Sequence, residues 1–210
     1  MASIRDITDT KGRINYIQLR ELVSNTSLSE FTSQAQYPFL IGKELYDGEL
    51  RKKVGATTST STMKFDASEI RERIASLAEA KKASIANEPP AQPVSDTGGI
   101  SHAIYLLRKK LYTKEDEQNV INIGRAEDND IVIADFVISK HHAQIIIFHG
   151  MYFILDLNST NGTRVNQQLI SPKMKVQLAM NATIAFGRFC FVFTHPLQVY
   201  RAMRKEILGF

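Results

Sequence analysis

Between residues 123 and 166 the sequence alternates short apolar runs with three polar loops, and no other stretch limits the possible folds so tightly. Runs this short cannot make stable helices, and each must bury one face by pairing with others. The first loop carries Gly124 and Arg125, the second Ser139, Lys140 and His142, and the third Ser159, Thr160, Asn161, Gly162 and Thr163. Further apolar runs at 103–107, 120–123, 168–170, 176–178, 183–186 and 189–193 extend the pattern on both sides. The pair His149-Gly150 reads as the turn of a hairpin joining 143–148 to 151–156. Many short strands with turns every few residues predict an all-β sandwich. After it, Leu197, Tyr200, Met203 and Ile207 recur at helical spacing behind Pro196, so residues 195–210 should form a terminal helix.

The chain before this region has a different texture. Residues 1–55 read as a small region of unknown fold, mainly helical or partly disordered, with a loose polar start at 1–12. In 14–23 the spacing of Ile14, Ile17 and Leu22, with Leu19 and Val23 close by, fits a helix face, although alternation also permits a strand. Ser27 with Glu30 three residues on has the form of a capping box. The apolar patch at 37–42 suits docking, either to a partner or to the C-terminal domain. Residues 56–65 hold a Thr/Ser-rich linker with candidate phosphorylation sites at Thr57, Thr58, Thr60 and Thr62. A helix is expected over 66–86, capped by Asp66 and Glu69. The Pro/Gly-rich stretch 87–99 predicts a linker, and it sets the boundary of a domain over 100–194.

Composition narrows the chemistry. Apolar residues make up 43 % of the 210, enough for a sizeable core. The net charge is +4, and the excess lies wholly after residue 98, where 13 basic face 9 acidic residues. These charges are scattered, so a small positive field at an anion site fits them better than a nucleic-acid stripe. One cysteine, Cys190, cannot form an internal disulfide and fits a buried hydrophobe in a reducing, cytoplasmic setting. The polar start predicts no secretory leader, and no apolar run is long enough for a membrane span. Paired carboxylates, metal-ligand clusters and glycine-rich nucleotide loops do not stand out, so no enzyme, cofactor or metal is expected. Ser139 and His142 could suggest a nucleophile and its base, but no third orienting group accompanies them.

Taken together, Gly124-Arg125, Ser139-Lys140-His141-His142-Ala143 and the run from Ser159 to Asn166 resemble, in order and spacing, the forkhead-associated (FHA) domain family. The resemblance covers residues of about 100–193 and leaves 1–98 and the tail unassigned. It implies an eleven-stranded β-sandwich that binds phosphothreonine peptides through loops at one end. By this resemblance Arg125, Ser139 and Thr160 would donate to phosphate, and Lys140 stands where the family often has another donor. Asn161 would bond the peptide main chain, His142 would brace the loops, and Gly124 and Gly162 would shape them. Met180-Asn181 departs from the Gly-Asp that the family commonly has before its penultimate strand, a scaffold position where asparagine can still turn the chain.

The function implied is a non-catalytic adaptor that reads a phosphothreonine on a partner, such as a Ser/Thr kinase or its substrate. The threonines of 57–62, once phosphorylated, could occupy the same loops or link two chains. The alternative is a scaffold protein that binds an unphosphorylated partner through the sandwich.

Overall fold

The computed structural model describes residues 3–45, 103–110 and 119–209. The expected linkers 56–65 and 87–99, the helix 66–86 and the threonines of 57–62 lie outside these residues. The first described segment forms strand β1 (Arg13–Ile14), helix α1 (Tyr16–Asn25), helix α2 (Leu28–Gln34) and strand β2 (Phe39–Leu45). Ten more strands follow: β3 (Ile104–Leu106), β4 (Val120–Gly124), β5 (Ile131–Val132), β6 (Ala143–Phe148), β7 (Met151–Asp156), β8 (Thr163–Val165), β9 (Gln168–Leu169), β10 (Lys175–Leu178), β11 (Thr183–Phe186) and β12 (Phe189–Thr194). Helix α3 (Pro196–Leu208) ends the described chain.

The strands form two sheets. One has the order β1-β3-β2-β12-β11-β8-β9, the other β10-β7-β6-β4-β5. All pairs are antiparallel except β4 with β5. Between the sheets lies the sandwich core, to which Ile121, Ile145, Ile154, Ile184, Phe186, Phe191 and Phe193 contribute fully buried side chains. Alternation along β6 and β7 sends Ile145 and Ile154 inward, as the period of two requires. The two-residue turns close tightly because His149 and Gly150, and likewise Asn166 and Gln167, adopt positive φ.

Strand β2 changes the expected domain plan. It lies between β3 and β12, with Leu40 opposite both Tyr105 and Phe193. Residues expected to form a separate N-terminal region therefore supply an interior strand of the C-terminal sandwich. The physical cause is two-sided burial. Phe39 faces one core and Leu40 the other, and both are 0 % exposed. Such a strand is stable only inside a sheet covered on both faces.

The outer face of that sheet carries a second core built by α1, α2 and α3. Leu19, Leu22 and Val23 from α1, Phe31 from α2, and Val199, Tyr200 and Met203 from α3 meet Phe39, Ile104 and Leu106 there. The stretch 14–23 contains both alternatives that its pattern permitted: Ile14 belongs to a strand, and the helix starts two residues later. Asn15 caps it, accepting from the N–H groups of Ile17 and Gln18. Ile17, expected on the buried helix face, is 72 % exposed, because Leu19, Leu22 and Val23 set the inward stripe. The Ser27–Glu30 capping box forms as the spacing predicts. The expectation of a loose start at 1–12 is corrected. Ile4 and Ile7 are buried in the helical core, and the carbonyl of Gly12 accepts from Leu106 N–H at 3.0 Å. Two isoleucines are too few to show as a pattern, yet enough to anchor a turn.

α3 starts with Pro196 at its first position and His195 as cap, and ends at Gly209 in the left-handed conformation. It is fastened to the N-terminal helices by Tyr200, whose hydroxyl donates to the Thr26 carbonyl at 2.9 Å, and by a hydrogen bond from the Tyr16 hydroxyl to Glu206.

Candidate functional site

The three polar loops converge at one end of the sandwich. The first and second are joined through the main chain: Arg125 N–H donates to the Ser139 carbonyl at 3.0 Å, and Ala126 N–H to the Lys140 carbonyl at 3.2 Å. Gly124 makes this approach possible. A Cβ there would lie 2.1 Å from the Lys140 carbonyl oxygen, so no side chain fits. The second and third loops are joined by Ser139, whose Oγ accepts from Thr160 N–H at 3.0 Å and lies 3.4 Å from Thr160 Oγ1.

His142 sits beneath the junction, 0 % exposed. Its Nδ1 accepts from Ser139 N–H at 3.1 Å, and its Nε2 is 3.2 Å from the Gly162 carbonyl. Acceptance at Nδ1 leaves the proton on Nε2, which then donates to Gly162. Burial pushes the imidazole pKa down to about 4, although the nearby Asp156 carboxylate and the Gly162 bond act in the opposite direction. At neutral pH His142 is therefore an uncharged crosslink between the second and third loops. With both nitrogens engaged in holding backbone, it has no free position from which to act as a base on Ser139.

Arg125 reaches across the same junction. Its Nε donates to the Ile138 carbonyl at 3.0 Å, while Nη2 is buried and makes no hydrogen bond among the described residues. Neither Glu127 nor Asp128 pairs with it; Asp128 instead faces the His141 imidazole at 3.7 Å. Lys140 is exposed, and Ser139 and Thr160 are half-buried. A cation, a second cation and two hydroxyls thus border one surface.

Asn161, expected to bond a peptide main chain, lies beneath the surface of the third loop. It is 1 % exposed, and its Nδ2 donates to the Val137 carbonyl at 2.7 Å. The turn at Gly162, with φ of 78°, directs the asparagine inward beneath Gly187, where a glycine Cβ would lie 3.4 Å from Asn161 Cβ. In this conformation Asn161 ties the third loop to the segment before Ser139.

Two further residues build the site. Asp156, at the end of β7 and 0 % exposed, accepts from Ser159 N–H at 3.0 Å, Ser159 Oγ at 2.6 Å and Thr163 Oγ1 at 2.7 Å. Asn129, 1 % exposed, donates from Nδ2 to the carbonyls of Ala126 and Lys140. Asp156 had a signal in the sequence: an acidic residue closing an apolar run, with serine three residues on, is a local turn-capping pattern. Asn129 lies among other polar loop residues and had none. No cluster of metal-ligating side chains occurs among the described residues, and no described helix is long and apolar enough to cross a membrane.

Comparison with known proteins places this geometry. The FHA domain family model matches residues 121–187, which include all three loops. The chain is 44 % identical over 61 residues to an ABC transporter ATP-binding/permease protein of Mycobacterium tuberculosis, a match covering 29 % of this chain and 7 % of the transporter. It is 32 % identical over 83 residues to the glycogen accumulation regulator GarA of the same organism, covering 39 % of this chain and 49 % of the regulator. The chain thus spans half or less of these relatives. A solved structure from work on phosphothreonine-dependent FHA domain interactions is 29 % identical, with a TM-score of 0.37, and the match covers 47 % of this chain and 88 % of that one. Loop order, the buried histidine crosslink and the family match together identify residues 121–187 of this chain as an FHA domain.

Proposed function

We propose that the three-loop end binds a phosphothreonine peptide and that the chain works as a non-catalytic adaptor. The observation that carries this is Arg125. Its guanidinium is held by Nε on the Ile138 carbonyl, and Nη2 has no hydrogen-bond partner among the described residues. A cationic donor held at the loop junction without a protein acceptor suits a phosphate, whose oxygens would complete its hydrogen bonds. Ser139 and Thr160 bring hydroxyls to the same surface, and Lys140 adds an exposed charge. A phosphate with three acceptor oxygens and about two negative charges can use all of them at once. The FHA match and the relatives support the assignment. Asn161 acts in this proposal by holding Val137 and hence the second loop, with His142, Gly124 and Gly162 fixing the remaining geometry.

A library of phosphothreonine peptides titrated against the wild type and Arg125→Ala tests the proposal. The wild type should bind phosphorylated peptides at roughly micromolar Kd and unphosphorylated ones far more weakly. Loss of the charge-assisted bonds should cost about 1.5–3 kcal/mol, a weakening of roughly ten- to a hundredfold. Equal binding of both peptide forms by the wild type would refute it.

The partner in this proposal is a protein phosphorylated by a Ser/Thr kinase, or that kinase itself. Phosphorylation of Thr57, Thr58, Thr60 or Thr62 would place a competing ligand on the same chain, favoured by a high effective concentration. Kinase treatment should then lower binding of external phosphopeptide, and alanine at the four threonines should restore it. Binding unaffected by phosphorylation of these threonines would exclude self-occupancy.

A further inference from the structure

A cleft of about 440 Å³ opens on the flank of the sandwich, where the N-terminal turn spans the edges of both sheets. Lys11 accepts at its carbonyl from Val132 N–H in one sheet, and Gly12 from Leu106 N–H in the other, both at 3.0 Å. Gly12 is pressed so closely on β5 that a Cβ would lie 2.6 Å from Ile131 Cδ1. The turn is held from within by Asp9, whose Oδ1 accepts from the N–H groups of Lys11 and Arg13, both at 2.8 Å. This bridge makes one wall of the cleft a constructed part of the fold.

The lining combines two kinds of chemistry. Tyr105, Phe189 and Phe191 supply an aromatic floor, with Tyr105 and Phe191 packed edge to face at 5.9 Å. Val132 and Ile133 form an aliphatic wall. At the rim stand Lys11 and Arg13. Tyr105 is the informative residue. It is only 6 % exposed, it lines the cleft, and its hydroxyl makes no hydrogen bond among the described residues. A tyrosine hydroxyl that opens onto a cleft without a protein partner is a donor available to a ligand. Asp9 and Asp135 also line the cleft and balance the two cations, so the lining as a whole carries no net charge and a dianion gains no advantage over a single carboxylate there.

We propose that this cleft is a second binding site, for a small monocarboxylic acid with an aromatic or branched apolar body. The carboxylate lies against Arg13, Lys11 and the Tyr105 hydroxyl, and the apolar body rests on Phe189. A volume of several hundred Å³, apolar surfaces and a few convergent polar groups are what such ligands require. This site is distinct from the three-loop end in charge and in residues. It nevertheless shares a segment with it, since Asp135 accepts from Val137 N–H at 2.9 Å and Val137 holds Asn161.

The test is a titration of the full chain with phenylacetate, followed by backbone amide NMR shifts. Benzyl alcohol, benzylamine and inorganic phosphate serve as neutral, cationic and dianionic controls. Saturable shifts should centre on Arg13, Tyr105, Ala134 and Phe189, with a Kd on the order of a millimolar or tighter. Arg13→Gln should remove the preference for phenylacetate over benzyl alcohol. Tyr105→Phe, which loses no internal bond, should weaken phenylacetate by roughly two- to tenfold. Arg125→Ala should leave phenylacetate binding unchanged, which separates this result from any outcome with phosphopeptides. Non-saturable shifts, equal shifts with benzylamine or phosphate, or unaltered binding by both Arg13→Gln and Tyr105→Phe would overturn the proposal.

Discussion

The three-loop end and the helical layer are equally dependent on long-range contact, but they differ in how the sequence records it. At the loop end each contributor lies in a compact polar motif, and the motifs keep their own spacing: Gly124-Arg125, Ser139 to His142, Ser159 to Thr163. In the helical layer the contributors are ordinary apolar residues whose partners lie far along the chain. Tyr200 bonds Thr26 across 174 positions, and Leu40 sits opposite Phe193. The lesson is that a convergent loop cluster can be recognised from its polar exceptions. A supporting layer made only of hydrophobic complementarity leaves no comparable mark.

If that contrast is right, damage to β2 should cost the whole molecule and not the N-terminal region alone. Leu40→Pro gives the largest effect. It removes a backbone donor and a core side chain from a strand flanked on both sides, β3 on one and β12 on the other. The expected cost is more than about 3 kcal/mol, a large part of the roughly 5–15 kcal/mol typical of a domain. The cooperative thermal transition and the phosphopeptide binding should be lost together. A variant that keeps the wild-type transition would mean that β2 merely leans on the sandwich.

The same contrast explains what was legible. The ten strands after residue 103 were readable, most to within one residue, because alternation and turn residues are local signals. β11, from Thr183 to Phe186, lies where its apolar run does. The Asn181 turn forms with φ of 65° despite the missing glycine. The insertion of β2 was not legible, because the patch at 37–42 shows only that it must be covered, not by what. That Arg125, Ser139 and His142 come together at the loop junction was legible from the spacing of their motifs. The inward turn of Asn161 was not, since it depends on Gly187 and Val137 arriving from other loops.

A second measurement sharpens the comparison through charge. His142 is neutral in the fold, with a pKa lowered from 6.5 to about 4 chiefly by burial. The unfolded chain therefore takes up this proton first as pH falls. The stability that His142 contributes is fully present above about pH 6.5 and is lost progressively towards pH 4. The full effect is on the order of 3 kcal/mol. His142→Gln has no such proton to take up, so the stability gap between wild type and variant should narrow over that interval in denaturant titrations. A gap independent of pH would show that the imidazole is not a buried neutral crosslink. The helical layer offers no equivalent, because its buried residues are almost all apolar.

Tyr200→Phe should produce the smallest effect, and it asks whether the two regions are independent. The change removes one hydrogen bond to the Thr26 carbonyl just past the end of α1, an acceptor that needs a donor once the helix stops. The ring, packed 5.5 Å from Phe31, stays in place. The expected loss is about 1 kcal/mol, which in a chain of this size lowers Tm by roughly 2–4 °C. Phosphopeptide affinity measured well below that Tm should not change, because Thr26 and Tyr200 belong to the core on the far side of the seven-stranded sheet from the sandwich interior. A shift in affinity of more than about twofold, beyond what scatter in additive sites allows, would show that the helical layer sets the loop geometry as well as the stability of the sheet beneath it.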